Sequence, residues 1–227
     1  MNLILGDGLL GSSVIGLSGW PYVSRKNHGF DLNLQHTWKS NIPNGVNTII
    51  NLIANTNTYS EDIDGMFETN YRSVINLVDY CNEHKIKLVH FSTDYVYENS
   101  RSNALETSKA IPTTSYAMSK LLADEYIMKH CNDYLILRGA QKEDPFPYEK
   151  AFTNLYGNFD YPDTIAEILI AMVKKGATGL YNIGTPTKSM FELAKETNPR
   201  VEESLAPDHF PTDVTMDLNK MNEFLNG

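Results

Sequence analysis

The chain opens with a short apolar run at residues 2–5, then glycines at positions 6, 8 and 11, then an apolar stretch at helical spacing over 9–17. No other segment restricts the fold as sharply. A strand, a glycine turn and a helix in that order are the context in which Gly-x-Gly-x-x-Gly binds a dinucleotide. Gly6 permits the tight turn, Gly8 lets backbone approach a pyrophosphate, and Gly11 lets helix and strand pack closely. The helix N-terminus offers free N–H groups to phosphate, with Leu9 and Leu10 beside it.

The rest of the first half alternates short apolar runs with helical patterns. That alternation predicts a parallel sheet covered by helices. Residues 20–24, 46–54, 87–92 and 134–138 read as further strands. Phe67, Tyr71, Val74, Ile75 and Val78 form one stripe, which predicts a long amphipathic helix over 62–84. Residues 26–45 carry little helical periodicity, so a full crossover helix is not expected there. Helices are expected at 116–131, 164–175 and 190–197, with a short one within 216–225. Residues 98–109 and 141–160 read as irregular, the latter with Pro145, Pro147 and Gly157. The expected class is a Rossmann-type, doubly wound α/β sheet. Its core spans 1–139, and a small, trimmed substrate lobe over 140–227 is interwoven with it.

Tyr116 and Lys120 stand four apart, one helical turn, and so share a face. A nearby ammonium lowers a phenol's pKa and lets it move a proton near neutral pH. By itself Tyr-x-x-x-Lys describes many solvated helix faces; the glycine turn gives it weight. At the end of the second strand stand Ser24, Arg25 and Lys26, with no carboxylate to bind a ribose 2′-hydroxyl. The two cations suit a 2′-phosphate, which favours NADP(H) over NAD(H). Ala54 and Asn55 end the third strand, where ligands of such sheets lie.

The net charge of −9 disfavours nucleic acid or an anionic membrane as partner. No apolar run reaches the roughly 20 residues that span a bilayer, and no secretory leader is recognisable. Cys81 and Cys131, both expected in helices, read as buried free thiols and fit a reducing cytoplasm. The histidines show no metal-ligand spacing, so no metal is expected.

Together these motifs resemble the extended short-chain dehydrogenase/reductase family, and within it the dTDP-4-dehydrorhamnose reductases and related nucleotide-sugar reductases. The glycine turn, Phe91-Ser-Thr-Asp-Tyr-Val-Tyr97, Pro112-x-x-x-Tyr116-x-x-Ser119-Lys120 and the segment Gly179–Ser189 carry the likeness. The resemblance implies Thr93, Tyr116 and Lys120 as the catalytic set, with Tyr116 the proton donor and Lys120 on the nicotinamide ribose. It implies Asn70 and Ser92 beside the cofactor and Tyr95, with Thr93 and Tyr116, facing the substrate. The implied reaction is hydride transfer from NAD(P)H to a keto-sugar, nucleotide-linked, as in 4-keto-6-deoxy sugars. The family's long helices often build a homodimer.

Two departures stand out. The step from Gly6 to Gly8 is one residue shorter than the family's usual first step, whose position falls on Leu5. The stretch between Arg138 and Tyr161 is also short, which trims the substrate side. A nucleotide-sugar epimerase, and a dinucleotide-binding accessory or regulatory subunit with little catalysis, are the alternative readings.

Overall fold

The computed structural model describes residues 1–58, 60–208 and 210–227. The first half contains β1 (Asn2–Leu5), α1 (Leu9–Ser18), β2 (Tyr22–Val23), α2 (Arg25–His28), α3 (Trp38–Asn41) and β3 (Thr48–Asn51). It continues with α4 (Ile63–Phe67), a π-helical turn (Glu68–Arg72), α5 (Ser73–His84), β4 (Lys87–Thr93) and a 3-10 turn (Asp94–Tyr97). Then come α6 (Ser115–His130), β5 (Tyr134–Gly139), β6 (Lys150–Phe152), β7 (Tyr156–Gly157), α7 (Pro162–Lys174) and β8 (Gly179–Asn182). The chain finishes with β9 (Lys188–Ser189), α8 (Met190–Thr197), β10 (Glu202–Ser204) and α9 (Asn219–Asn226).

Six strands form one parallel sheet in the order β2-β1-β3-β4-β5-β8. Successive side chains of a strand point to opposite faces, and here both faces are covered. Leu3, Leu5, Ile49, Leu88 and Ile136 face α5 and α6, packing on Val74, Leu77, Val78 and Ile127. Ile4, Ile50, Val89, Leu135 and Leu137 face the other way, onto Val14 of α1 and Ile165, Leu169 and Met172 of α7. Each such side chain withdrawn from water contributes about 1.5–3 kcal/mol. That double burial is why the strands are near-continuous apolar runs.

The structure shortens several expected elements. β3 stops at Asn51, and the following residues run as a loop along the strand ends. The long helix expected over 62–84 is broken by the π turn. Residues 26–45 make only α2, a 3-10 turn and α3, so no further strand lies outside β2. Phe30 and Trp38 stack there, with ring centroids 6.3 Å apart, and close the core below. The stretch 141–160 is not wholly irregular, because β6 pairs with β10 and β7 with β9. Those pairs and α8 enclose a third apolar cluster around Phe146, Leu155, Phe159 and Leu193. Cys131 caps α6 instead of lying inside it, and both thiols are free and buried. Among the described residues no helix is long and apolar enough to cross a membrane.

Candidate active site

β2 and β3 leave β1 in opposite directions, so the sheet's switch point lies at the C-terminal end of β1, where doubly wound sheets hold their ligands. The three glycines there do different work. Gly6 has φ +101°, a conformation side chains resist, and a Cβ on it would meet Ile53 Cγ1 at 2.8 Å. A Cβ on Gly11 would lie 2.3 Å from the Gly6 carbonyl oxygen. A Cβ on Gly8 would meet nothing within 4 Å. Gly8 caps α1 without a side-chain acceptor, and no acidic residue stands in the first turn. Bare N–H groups therefore face open space, which fits an anionic diphosphate. Leu9 is exposed on this turn, whereas Leu10 points into the core.

Asp7, inside the turn, accepts hydrogen bonds from Ser24 Oγ at 2.9 Å and Asn27 Nδ2 at 2.7 Å. Ser24 is buried and also caps α2 through Asn27 N. Arg25 Nη2 pairs with Asp31 Oδ2 at 2.9 Å, on a side chain that stays 72% exposed. Lys26 is exposed beside it.

On the other side of β1, Asn70 clamps the loop after β3. Its Oδ1 accepts from Asn55 N at 2.8 Å, and its Nδ2 donates to Asn55 O at 2.9 Å. The same Nδ2 reaches Ser119 Oγ of α6 at 3.1 Å. Asn70 sits in the π turn and is buried there. Ala54 and Asn55 are half-buried along this edge.

Thr93 ends β4 and caps the 3-10 turn through Tyr95 N. Its hydroxyl bonds Asp94 Oδ1 at 3.2 Å and is hydrogen-bonded to the Tyr116 phenol. Tyr116 lies in the first turn of α6, whose cap Thr114 accepts from Ala117 N. Glu98, following the 3-10 turn, ties that cap to β4: its Oε2 accepts from Thr113 N at 2.6 Å, from Thr114 N at 3.3 Å and from the Thr113 hydroxyl. Lys120 Nζ donates to Phe91 O at 2.8 Å and meets His90 Nε2 at 3.1 Å. Ser92 turns away, donating to Asp124 Oδ2 at 2.9 Å, where Arg138 Nε also binds. Tyr95 is half-buried, with Lys142 Nζ 6.0 Å from its ring centroid.

Lys120 Nζ is engaged by β4 through His90 and Phe91. Burial pushes Tyr116 up to about 12; the Thr93 hydrogen bond opposes this, and the Asp94 and Asp124 carboxylates add to it. Burial likewise pulls Lys120 down to about 8, against Asp124. Asp94 is raised by burial, and its Oδ2 lacks a hydrogen-bond partner. Such a site keeps a proton on its phenol at neutral pH and can give that proton to an oxygen that gains charge.

Sequence reasoning missed Asp7, His90, Asp94, Glu98 and Asp124 as members of this edge. Asp7 and Asp94 lie inside the motifs themselves, which is a usable signal. Glu98 lies in a polar stretch whose partners are 15 and 16 residues away, and nothing local marks it.

A parallel dinucleotide sheet with Thr, Tyr and Lys gathered at its ligand edge defines an NAD(P)-dependent oxidoreductase of the short-chain dehydrogenase/reductase type. The sequence profile described as the RmlD substrate binding domain matches residues 3–141, more than half of the chain, and the chain belongs to that family. Solved structures share the fold across nearly its whole length. A hypothetical dTDP-4-dehydrorhamnose reductase from Sulfolobus tokodaii superposes with TM-score 0.80 at 20% identity, covering 98% of this chain and 94% of its own. A dTDP-4-dehydrorhamnose reductase from Bacillus anthracis, in complex with NADP, gives 0.82 at 20% identity over 100% and 92%. The Bordetella bronchiseptica enzyme WbmG, in complex with NAD and UDP, gives 0.75 at 16% identity over 99% and 87%.

Proposed function

We propose that this protein reduces a keto group on a nucleotide-linked sugar, of the 4-keto-6-deoxy kind, with NADPH as the preferred reductant. The observation that carries the reading is the Tyr116–Thr93 hydroxyl pair beside Lys120, at the same sheet edge as the bare N-terminus of α1. The nicotinamide supplies the hydride. The chain's own residues bind, orient and protonate. The N–H groups after Gly8 take the diphosphate, and Arg25 and Lys26 take the 2′-phosphate. Asn70 holds the Asn55 loop against the ribose side. Lys120 bonds the nicotinamide ribose, Thr93 holds the carbonyl oxygen, and Tyr116 gives that oxygen its proton.

A phenol held protonated suits the reductive direction, since reduction consumes a proton at the oxygen. The nucleotide link is supported by the printed names of the similar structures, which include a dTDP-4-dehydrorhamnose reductase and a complex with UDP. Residues 1–139 carry the cofactor; 140–227 carry the substrate lobe and return α7 and β8 to the core. A cytoplasmic homodimer completes the proposal, supported by the free thiols and the exposed flanks of α5 and α6.

Titration of the purified chain with NADPH and NADH, followed by nucleotide fluorescence, tests the cofactor half. Absence of binding to both overturns the reading. NADPH consumption with a panel of dTDP- and UDP-linked 4-keto sugars tests the rest. Binding without turnover on the panel marks an accessory subunit, and altered product stereochemistry without net NADPH use marks an epimerase.

A further inference from the structure

No carboxylate follows β2 in the sequence, where Ser24, Arg25 and Lys26 stand, yet the fold brings one there from another segment. Asp7 leaves the glycine turn and reaches α2. One of its oxygens, Oδ2, takes both hydrogen bonds, from Ser24 Oγ at 2.9 Å and from Asn27 Nδ2 at 2.7 Å. The two donors are themselves held. Ser24 is buried and caps α2, and Asn27 Nδ2 also donates to the Tyr22 hydroxyl at 3.3 Å. Asp7 is half-buried, so its carboxylate is fixed in direction. Among the described residues nothing donates to Oδ1, and no cation pairs with the group. A carboxylate accepts through both oxygens. Here one is anchored and the other is left for a ligand. The second acid of this corner is not available in that way. Asp31 Oδ2 pairs with Arg25, and its Oδ1 accepts from Asn33 N at 3.0 Å.

We propose that Asp7 is a specificity-determining residue, whose Oδ1 accepts the adenosine ribose 2′-hydroxyl and so admits NADH beside NADPH. Asp7 stands between the bare N–H groups of α1 and the cations of α2, the two places assigned to the diphosphate and the 2′-phosphate. A ribose hydroxyl there has a proton to give to Oδ1. In NADPH the same oxygen is esterified. It has no proton to give, and its phosphate brings negative charge toward the carboxylate. Arg25 and Lys26 draw that phosphate in while Asp7 opposes it, and Arg25 already shares its charge with Asp31. The acid that a dinucleotide fold usually carries after its second strand is thus supplied by the glycine turn. The preference for NADPH is a balance between these groups.

The inference rests on the proposed dinucleotide site, and its test reads binding without any sugar. The unaltered chain is titrated with NADPH, NADH and 2′-deoxy-NADH, followed by nucleotide fluorescence. NADH is expected to bind about tenfold more tightly than its 2′-deoxy analogue, the worth of one hydrogen bond to a charged acceptor. Equal binding of the two overturns the proposal. Asp7→Asn keeps the shape. Its amide oxygen faces Ser24 and Asn27, so an NH2 group replaces Oδ1. NADPH should then bind more tightly, and the ratio of NADPH to NADH affinity should rise at least about tenfold. An unchanged ratio, or an equal loss of both dinucleotides, shows that Asp7 serves only the turn and overturns the proposal. Failure of the unaltered chain to bind either dinucleotide overturns the reductase reading itself, and this inference with it. Failure of this inference alone leaves NADPH binding intact. The 2′-deoxy comparison decides the question even where the variant fails to fold.

Discussion

Two glycines three residues apart separate folding from binding. A Cβ at Gly11 collides with the Gly6 carbonyl, a backbone atom that cannot swing away. Gly11→Ala is expected to destabilise the chain by about 1–3 kcal/mol, as overpacking does, visible as an earlier urea midpoint. Gly8→Ala meets no protein atom and should move stability by less than about 1 kcal/mol. The new methyl would instead intrude where the diphosphate is proposed to sit, so NADPH affinity should fall at least about tenfold. Fluorescence titration of both variants, beside their melts, checks the pair. Tyr116→Phe removes the proton donor and leaves the dinucleotide edge intact. Turnover should drop about 10²- to 10⁴-fold while NADPH binding stays within about twofold. Equal loss of binding would place Tyr116 in cofactor holding instead.

At the scale of elements, the first turn of α6 depends on a residue outside it. Glu98 is buried and accepts the N–H groups of Thr113 and Thr114. Removing it in Glu98→Ala strands those donors and loosens the cap, which costs about 1–3 kcal/mol. Tyr116 follows the cap directly, so kcat should fall more than NADPH affinity, as steady-state kinetics and titration will read. The strands were legible because both faces of the sheet are covered, and the runs at Leu3, Ile49, Leu88 and Leu135 stay apolar. The glycine turn and the Tyr116–Lys120 pair were legible from spacing, and Thr93 only from the family likeness. The π turn was not, because the stripe from Phe67 to Val78 keeps helical spacing through it. Lys120's real partners were hidden too, since one histidine within an apolar strand looks like any satisfied core residue.

For the whole molecule, the lobe and the sheet are joined near Asp160. Its Oδ2 binds Lys188 Nζ and the Thr185 hydroxyl, each at 2.8 Å, at the entrance to α7. Burial alone would raise Asp160, but the Lys188, Tyr161 and Thr185 hydrogen bonds outweigh it and leave the carboxyl below its ordinary range. A depressed folded pKa gives stability that is complete above the unfolded value and is lost as pH falls through the folded one. Thermal melts should therefore hold steady from neutral pH to about 4 and decline below it. Lys188→Met should flatten that acid limb while lowering the melting temperature at neutral pH. An unchanged acid limb would show that Asp160 does not set it.

α2 holds Ser24 at its cap and Arg25 and Lys26 in its body, yet none of its four residues is buried. The side chains beside the proposed 2′-phosphate are thus mounted on a peg outside the apolar core, tied to β2 and the glycine turn by His28 and Asn27. Changes at the exposed Arg25 and Lys26 are filtered only weakly by folding. The choice between the two nicotinamide dinucleotides can drift, or be rewritten by an engineer, at Arg25 and Lys26 alone, while the catalytic edge stays untouched.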